Sequence, residues 1–412
     1  MKVLVIYYKQ DAVVSTLRLG GLIKYLPEFG WEPIILTNKP SPELNKFKVI
    51  TVPYDDDYIK RLPKLLRNIK NNSNILLKII KFTWMAFFLY PDAQKYWYEP
   101  ALAVVEDLLE NEDIDAVISS FPPVTPHLIA KSIHENYGIP WIADLRDLWT
   151  QYGYYVYKLF PPRLYRERRL EKNTLSQADY LTIVSEPLAE KLRKIHKDSS
   201  IRIIPNGFDP EIVNQGHPLT KKFSIIYAGG LWSGRRDPRI LFEAIKQLKL
   251  ENKIDLNDFE INFFGPDEDR YWIQNFIKGY GLEEIVNFQG LIPRDEVIKK
   301  EWGSQLLLLL LWDNPDEKGV VPGKIFEYLA AKRPILVIGY VGGVVDDLLK
   351  QTHTGISLNN VNEIKRELLK AYSEFKCSGM VSYNGVYEEI EKYNHKEMTK
   401  KFVDVLNRVL KN

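Results

Sequence analysis

At 412 residues the chain is too long for one ordinary core, and domains of ~100–200 residues make two the expected number. Hydrophobic residues make up 45% and charged residues 27%, and the net charge is only +2, which fits a soluble globular chain and excludes nucleic acid as a partner recognised by overall charge. One cysteine, Cys377, excludes an internal disulfide and a thiolate metal cluster.

The chain opens on an apolar run, Lys2–Tyr7. Lys9, Gln10 and Asp11 follow where a signal peptide would carry small residues, so the run predicts a buried first strand and a cytoplasmic protein. No apolar stretch reaches the ~18–20 residues of a spanning helix. Leu19, Leu22, Ile23 and Leu26 fall at helical spacing, and Ser15 is placed to cap that helix. Further strands are expected at 33–37, 49–52, 116–119, 141–144, 180–184 and 202–204. They are continuous apolar runs rather than alternating ones, the pattern of strands covered on both faces. Pro205-Asn206-Gly207 is a turn, and a polar, irregular stretch follows it. Strands resume at 224–228, 259–264, 286–289, 306–311, 335–338 and 355–358. The leucine run 306–311 is short enough to be a central buried strand. This alternation predicts an α/β protein with two Rossmann-like, doubly wound parallel-sheet domains whose strand ends face a central cleft. The expected boundaries are 1–206 for the first domain, 207–386 for the second, and 387–412 for a helical tail packing back on the first.

Two stretches carry chemistry. In VVPGKIFEYLAAKRPIL (320–336), Pro322 suits a first helical position, and Lys324 and Glu327 share one helix face. At a helix N-terminus after a strand, Lys324 and the backbone around Gly323 can hold a diphosphate, and Glu327 can accept from ribose hydroxyls. The same spacing also fits a surface ion pair. In IIYAGGLWSGRRDP (225–238), Gly229 and Gly230 let a ligand approach the backbone, and Arg235 and Arg236 can neutralise a leaving diphosphate. An exposed turn with solvated arginines is the plainer reading.

Taken in order, SSFPPVTPHLIAKSI, GIPWIADLRDLW, IPNGFD, FFGP, NFQGLIPRDEV and PGKIFEYLAAKRPIL resemble the blocks of glycosyltransferase family 4, the retaining enzymes of GT-B fold. The resemblance implies transfer of a sugar from a nucleotide diphosphate donor, UDP- or GDP-linked, to a saccharide or lipid-linked acceptor in cell-surface glycan synthesis. It implies that Glu327 binds the ribose, that Lys324 with Arg235 or Arg236 binds the diphosphate, and that backbone at Gly290, Leu291 and Ile292 reads the base. It also places His127 against the donor sugar, a catalytic position alongside Arg235 and Lys324. There are departures: Gly319 stands where many members carry an acid, with Asp316 and Glu317 nearby, and Gly230 stands where an arginine is usual.

On the acceptor side, Asp144, Arg146 and Asp147 either shape a pocket or form a buried ion-pair network holding Trp149, and Arg18 is placed to meet an anionic acceptor. Residues 59–90 hold Lys60, Arg61, Lys64, Arg67, Lys70, Lys78 and Lys81 among Ile69, Trp84, Phe87 and Phe88. Such a segment suits an anionic membrane surface, with the protein peripheral at the inner face. Ordinary helices with a basic outer face are the alternative. Acid pairs at Asp55/Asp57 and Asp267/Asp269 are not metal cages, and no metal or other cofactor is expected. A nucleotide-sugar 2-epimerase or hydrolase, and a non-catalytic partner subunit, are the competing functions.

Overall fold

A computed structural model describes residues 1–9, 13–39, 44–54, 57, 60, 62–67, 74–153, 155, 157–158, 160–232 and 234–411. Asp55, Ile59, Arg61, Ile69 and Lys70 therefore lie outside the described residues. The chain divides into two compact units, Met1–Pro205 with Met398–Asn412, and Asn206–Glu397.

In the first unit the described strands are β1 (Lys2–Ile6), β2 (Glu32–Thr37), β3 (Lys48–Thr51), β4 (Ala116–Phe121), β5 (Trp141–Leu145), β6 (Tyr180–Ile183) and β7 (Ile201–Ile203). They form one parallel sheet in the order β3-β2-β1-β4-β5-β6-β7. In the second unit β8 (Phe223–Ala228), β9 (Phe259–Phe264), β10 (Val286–Phe288), β11 (Leu306–Leu310), β12 (Ile335–Ile338) and β13 (Gly355–Leu358) pair in parallel as β10-β9-β8-β11-β12-β13. All the expected strands are present, with ends shifted by a residue or two. The winding reverses between β1 and β4 and again between β8 and β11, and such switch points open a crevice at the strands' carboxyl ends.

The unbroken apolar runs are explained by burial on both faces. Leu4 and Ile6 join one core cluster of the first unit, while Val3 and Val5 join the other. The leucine run does the same in the second unit. Leu306, Leu308 and Leu310 pack on one side of the sheet and Leu307, Leu309 and Leu311 on the other. Each fully buried leucine contributes ~1.5–3 kcal/mol, so the period of two is satisfied twice rather than broken.

Three local expectations change. The first helix is Val13–Tyr25, so Ser15 lies inside its first turn rather than ahead of it as a cap. The tail is two helices, Tyr387–Glu391 and His395–Val409, separated by a short turn. The first of these belongs to the second unit, and the unit boundary falls at Met398 rather than at 387. Beyond it, Met398, Phe402, Leu406 and Val409 pack into the cluster of Leu19, Leu22 and Ile23.

Candidate functional site

The crevice between β8 and β11 gathers the second unit's chemistry. β8 runs straight into Gly229, whose φ of +145° favours glycine. A Cβ there would also collide with the ammonium of Lys324. The following loop is pinned from below. Tyr227 Oη donates to the Gly230 carbonyl at 2.9 Å, and the Asp269 carboxylate accepts from Leu231 N at 2.7 Å. Asp269 thus serves as a brace, and its neighbour Asp267 lies 3.4 Å from Arg270. Among the described residues no three His, Cys, Asp or Glu side chains are grouped to hold a metal.

Lys324 opens the helix Lys324–Ala331, with Gly323 as N-cap, so Pro322 precedes the helix instead of starting it. Its Nζ donates to the Ala228 carbonyl at the end of β8 and lies 4.2 Å from the Tyr227 ring centre. Burial and the nearby Arg236 guanidinium push the Lys324 ammonium down to about 7, against the upward pull of Glu301 and Glu327. Glu327 is one turn along. Its Oε1 accepts from Arg294 Nε at 3.0 Å and Nη2 at 2.7 Å, so its carboxylate is held in place by a guanidinium fork. The surface i, i+3 pair considered for Lys324 and Glu327 is not what forms, because each finds its partner on another element.

The adjacent arginines part company. Arg236 is half-buried, lies over the Trp232 ring at 5.6 Å and acts on both Tyr227 and Lys324. Arg235 is exposed and lies over the Trp312 ring at 5.4 Å. It lines a cavity of about 280 Å³ together with Asp237, Trp312, Asp313, Gly339 and Asn359. The expected base-reading loop leaves β10 through Gly290, at φ +74°, whose carbonyl accepts from Gly265 N at 3.1 Å. Leu291 is 78% exposed there and Ile292 half-buried. Gly319 is buried, as is Glu317 beside it, while Asp316 N donates to the Asn314 side chain at 2.9 Å.

Two residues of this cluster carry roles the motifs did not reveal. Arg294 sits in NFQGLIPRDEV as one charge among several, and only packing pairs it with Glu327. Glu301 is buried, and its spacing of seven from Arg294, two helical turns on one face, is the signal that points to it.

In the first unit Arg18 and Asp144 pair with each other. Arg18 is buried, and its Nε and Nη2 donate to Asp144 at 3.1 and 2.8 Å. Its Nη1 donates to the carbonyls of Ile204 and Pro205 at 2.9 and 3.1 Å. Asp144 also accepts from Ser120 and Thr182 at 3.2 and 2.7 Å. Burial pushes the Asp144 carboxyl up, but Arg18 and the Thr182 hydroxyl outweigh it and hold it below the usual range. This is a structural brace among helix, sheet and linker, and neither charge is offered to a ligand. Arg146 donates to the carbonyls of Phe121 and Pro122 at 3.1 and 2.6 Å. Asp147 is half-buried, and burial raises its carboxyl against the opposing pull of Arg146. Trp149 is held by Glu167, to which its Nε1 donates at 2.8 Å, and not by the Asp144–Asp147 group.

His127 is fully buried, and burial pushes its imidazole down to about 3. Trp141 Nε1 donates to Ser119 Oγ at 2.7 Å, and Ser119 Oγ lies 2.6 Å from His127 Nδ1. The serine hydroxyl can donate to Nδ1 or accept from it, according to the tautomer of the ring. Nε2 has no protein partner among the described residues. Burial therefore keeps the imidazole neutral at ordinary pH.

Residues 75–88 form one helix, Ile75–Phe88, on which Ile75, Leu76, Ile79, Ile80, Phe87 and Phe88 are exposed. Its second half packs on the first unit through Phe82, whose ring centre is 5.4 Å from that of Tyr157, and through Arg163, which donates to the Ala86 carbonyl at 2.9 Å. Among the described residues no helix is long and apolar enough to cross a membrane.

A family model described as Glycosyltransferase Family 4 matches residues 18–212. No curated protein matches the sequence. Among solved structures, the chain is similar to a sucrose-phosphate synthase from Thermosynechococcus elongatus, with a TM-score of 0.65 at 13% identity over 99% of this chain and 98% of that one. It is similar to HepE from Anabaena in complex with UDP, with a TM-score of 0.65 at 11% identity over 99% and 100% of the two chains. It is also similar to the lipopolysaccharide outer core galactosyltransferase WaaB, with a TM-score of 0.59 at 14% identity over 99% of each. The family-4 model thus matches the larger part of the first unit, and the two doubly wound parallel sheets are the GT-B fold that these structures share with the chain.

Proposed function

We propose that the chain is a retaining glycosyltransferase that takes a hexosyl group from a UDP- or GDP-linked donor bound at the β8–β11 crevice. The observation that carries this reading is the convergence there of Gly229, Lys324, Arg236 and the fork-held Glu327. Lys324 and Arg236 neutralise the charge that grows on the diphosphate as the sugar departs, with Gly229 and Gly230 giving it backbone access. Arg235, on the Trp312 side, serves the outer edge of the site. Glu327 accepts from the ribose hydroxyls, Gly323 caps the helix facing the phosphates, and the exposed turn Gly290–Ile292 meets the base. Transfer proceeds with retention, the departing diphosphate taking the acceptor's proton on the same face, while the protein contributes orientation and charge. The UDP complex of HepE supports UDP as the first donor to test.

The acceptor is a saccharide, in our reading a lipid-linked one, at the cytoplasmic face of a membrane. WaaB, an outer core galactosyltransferase of lipopolysaccharide, supports that class. The outward apolar side chains of Ile75–Phe88 support it too, and Lys64, Arg67 and Lys78 are exposed. Each lysine or arginine near an anionic surface contributes ~1 kcal/mol. Cosedimentation with anionic and neutral vesicles tests this. Preferential anionic binding that is lost in Lys64→Gln/Arg67→Gln/Lys78→Gln supports it, and equal or absent binding refutes it.

The decisive experiment on function is nucleotide binding followed by product analysis. Thermal stabilisation by UDP or GDP is expected in the wild type and is lost in Glu327→Ala, since a tight ligand raises stability by mass action. Wild-type stabilisation in that variant sinks the ribose role. Product formed from donor without any acceptor points instead to a 2-epimerase or hydrolase, and no nucleotide binding points to a partner subunit.

A further inference from the structure

Three turns of the second unit meet beside the crevice, and glycines make the approach close. A Cβ on Gly265, which follows β9, would lie 2.8 Å from the Gly229 carbonyl oxygen. Gly265 N donates to the Gly290 carbonyl at 3.1 Å, which ties the turn after β9 to the turn after β10. The helix Asp267–Tyr280 starts at this junction. Two side chains of its first turn reach over Gly290, where a Cβ would meet Asp267 Oδ1 and Arg270 Nη2, each at 3.5 Å. Those two head groups are 3.4 Å apart, an ion pair longer than a good hydrogen bond. The Arg270 guanidinium lies over the Phe288 ring at 5.5 Å, and its Nε is buried with no partner among the described residues. The Asp267 side chain is 77% exposed, so its carboxylate is open to a ligand. Leu291, next to Gly290, is exposed as well and offers a base an apolar surface.

We infer that Asp267 and Arg270 select the base of the donor, and that the base they select is guanine. This rests on the donor-site reading above, in which the base meets the turn Gly290–Ile292. A carboxylate only accepts hydrogen bonds and a guanidinium only donates them, so the pair sets an acceptor and a donor side by side over Gly290. The pairing edge of guanine carries the complement. Its N1–H and its 2-amino group donate side by side to the two carboxylate oxygens, and its O6 accepts from the guanidinium. Uracil donates only from N3, between two carbonyl oxygens, so one of them is set against the carboxylate. Adenine donates from its 6-amino group and sets the bare N1 against the same carboxylate. Both alternatives give up a charged hydrogen bond and gain a repulsion, which is how a polar site rejects a near-isostere.

Calorimetry of the full chain with GDP, IDP, UDP and ADP tests this. IDP differs from GDP only in lacking the 2-amino group, so the ratio of their affinities isolates one hydrogen bond to the carboxylate. The wild type is expected to bind GDP about tenfold tighter than IDP, as for loss of a hydrogen bond to a charged group, and tighter than UDP and ADP. In Asp267→Ala the GDP and IDP affinities are expected to converge. Removing a negative charge also strengthens binding of any diphosphate, but that effect cancels in the ratio. Glu268→Ala removes the same charge one residue on and is expected to keep the wild-type ratio. Asp267→Ser keeps a polar side chain in the helix's first turn and takes the place of the alanine variant if that folds poorly. UDP or ADP bound as tightly as GDP overturns the inference and leaves the donor site standing. A GDP-to-IDP ratio that survives in Asp267→Ala, or that collapses equally in Glu268→Ala, overturns it too. Binding of none of the four nucleotides overturns the donor-site reading itself.

Discussion

Replacing Lys324 by Met should abolish transfer and at the same time stabilise the second unit. An ordinary lysine ionises at 10.5, while burial beside Arg236 holds Lys324 at about 7. At ~1.4 kcal/mol per unit, the folded state forfeits ~4 kcal/mol at pH 7 relative to a lysine that keeps its proton in water. Methionine has nearly the same length and no charge to desolvate. It gives up the bond to the Ala228 carbonyl, worth ~1 kcal/mol, and the contact over Tyr227. A net gain of about 2 kcal/mol remains. The pH dependence makes the test specific. A lysine with a lowered folded pKa leaves the unfolded chain holding more protons between 7 and 10.5, so wild-type stability rises with pH across that window. The methionine variant lacks this slope. Its advantage should therefore shrink by ~2 kcal/mol between pH 7 and pH 9. Urea titration with hydrogen-exchange readout of residues 306–331 measures it at the two pH values. Equal stabilities at pH 7, or parallel pH dependences in the two proteins, would show that the ammonium is not desolvated as described.

Arg236→Ala should lower kcat by more than tenfold through lost stabilisation of the leaving diphosphate, while Arg235→Ala has the smaller effect; steady-state kinetics showing the reverse order would return the main role to Arg235. Arg18→Ala should act on folding instead of on acceptor use. It strands the buried Asp144 charge at a cost of ~3–5 kcal/mol, read as a fall in Tm, and a raised acceptor KM with unchanged Tm would restore the acceptor role. Turnover should survive EDTA, because Lys324 and Arg236 supply the positive charge and Asp269 is engaged with Leu231; activity lost to EDTA and restored by a divalent metal contradicts this.

Much of the architecture was legible in the chain itself. A run such as Leu306–Leu311 has no polar side, so it can only be a strand covered on both faces, and repeated alternation with helices leaves a doubly wound sheet as the way to cover it. Gly229-Gly230 and the Lys324/Glu327 spacing were likewise visible, because local backbone and helix period decide them. What local sequence does not encode is which charge meets which. Arg18 and Asp144 are 126 residues apart, and each read alone as a candidate for an acceptor. Only the pairing of strand, helix and linker brings them together as a buried brace. Arg294 reaches Glu327 across 33 positions. His127 lies in the first turn of the helix after β4, and burial, a property of the whole unit, holds its imidazole neutral. Periodicity belongs to neighbours along the chain and was readable from it. Partnership and desolvation depend on distance in space, and those the tertiary structure alone decided.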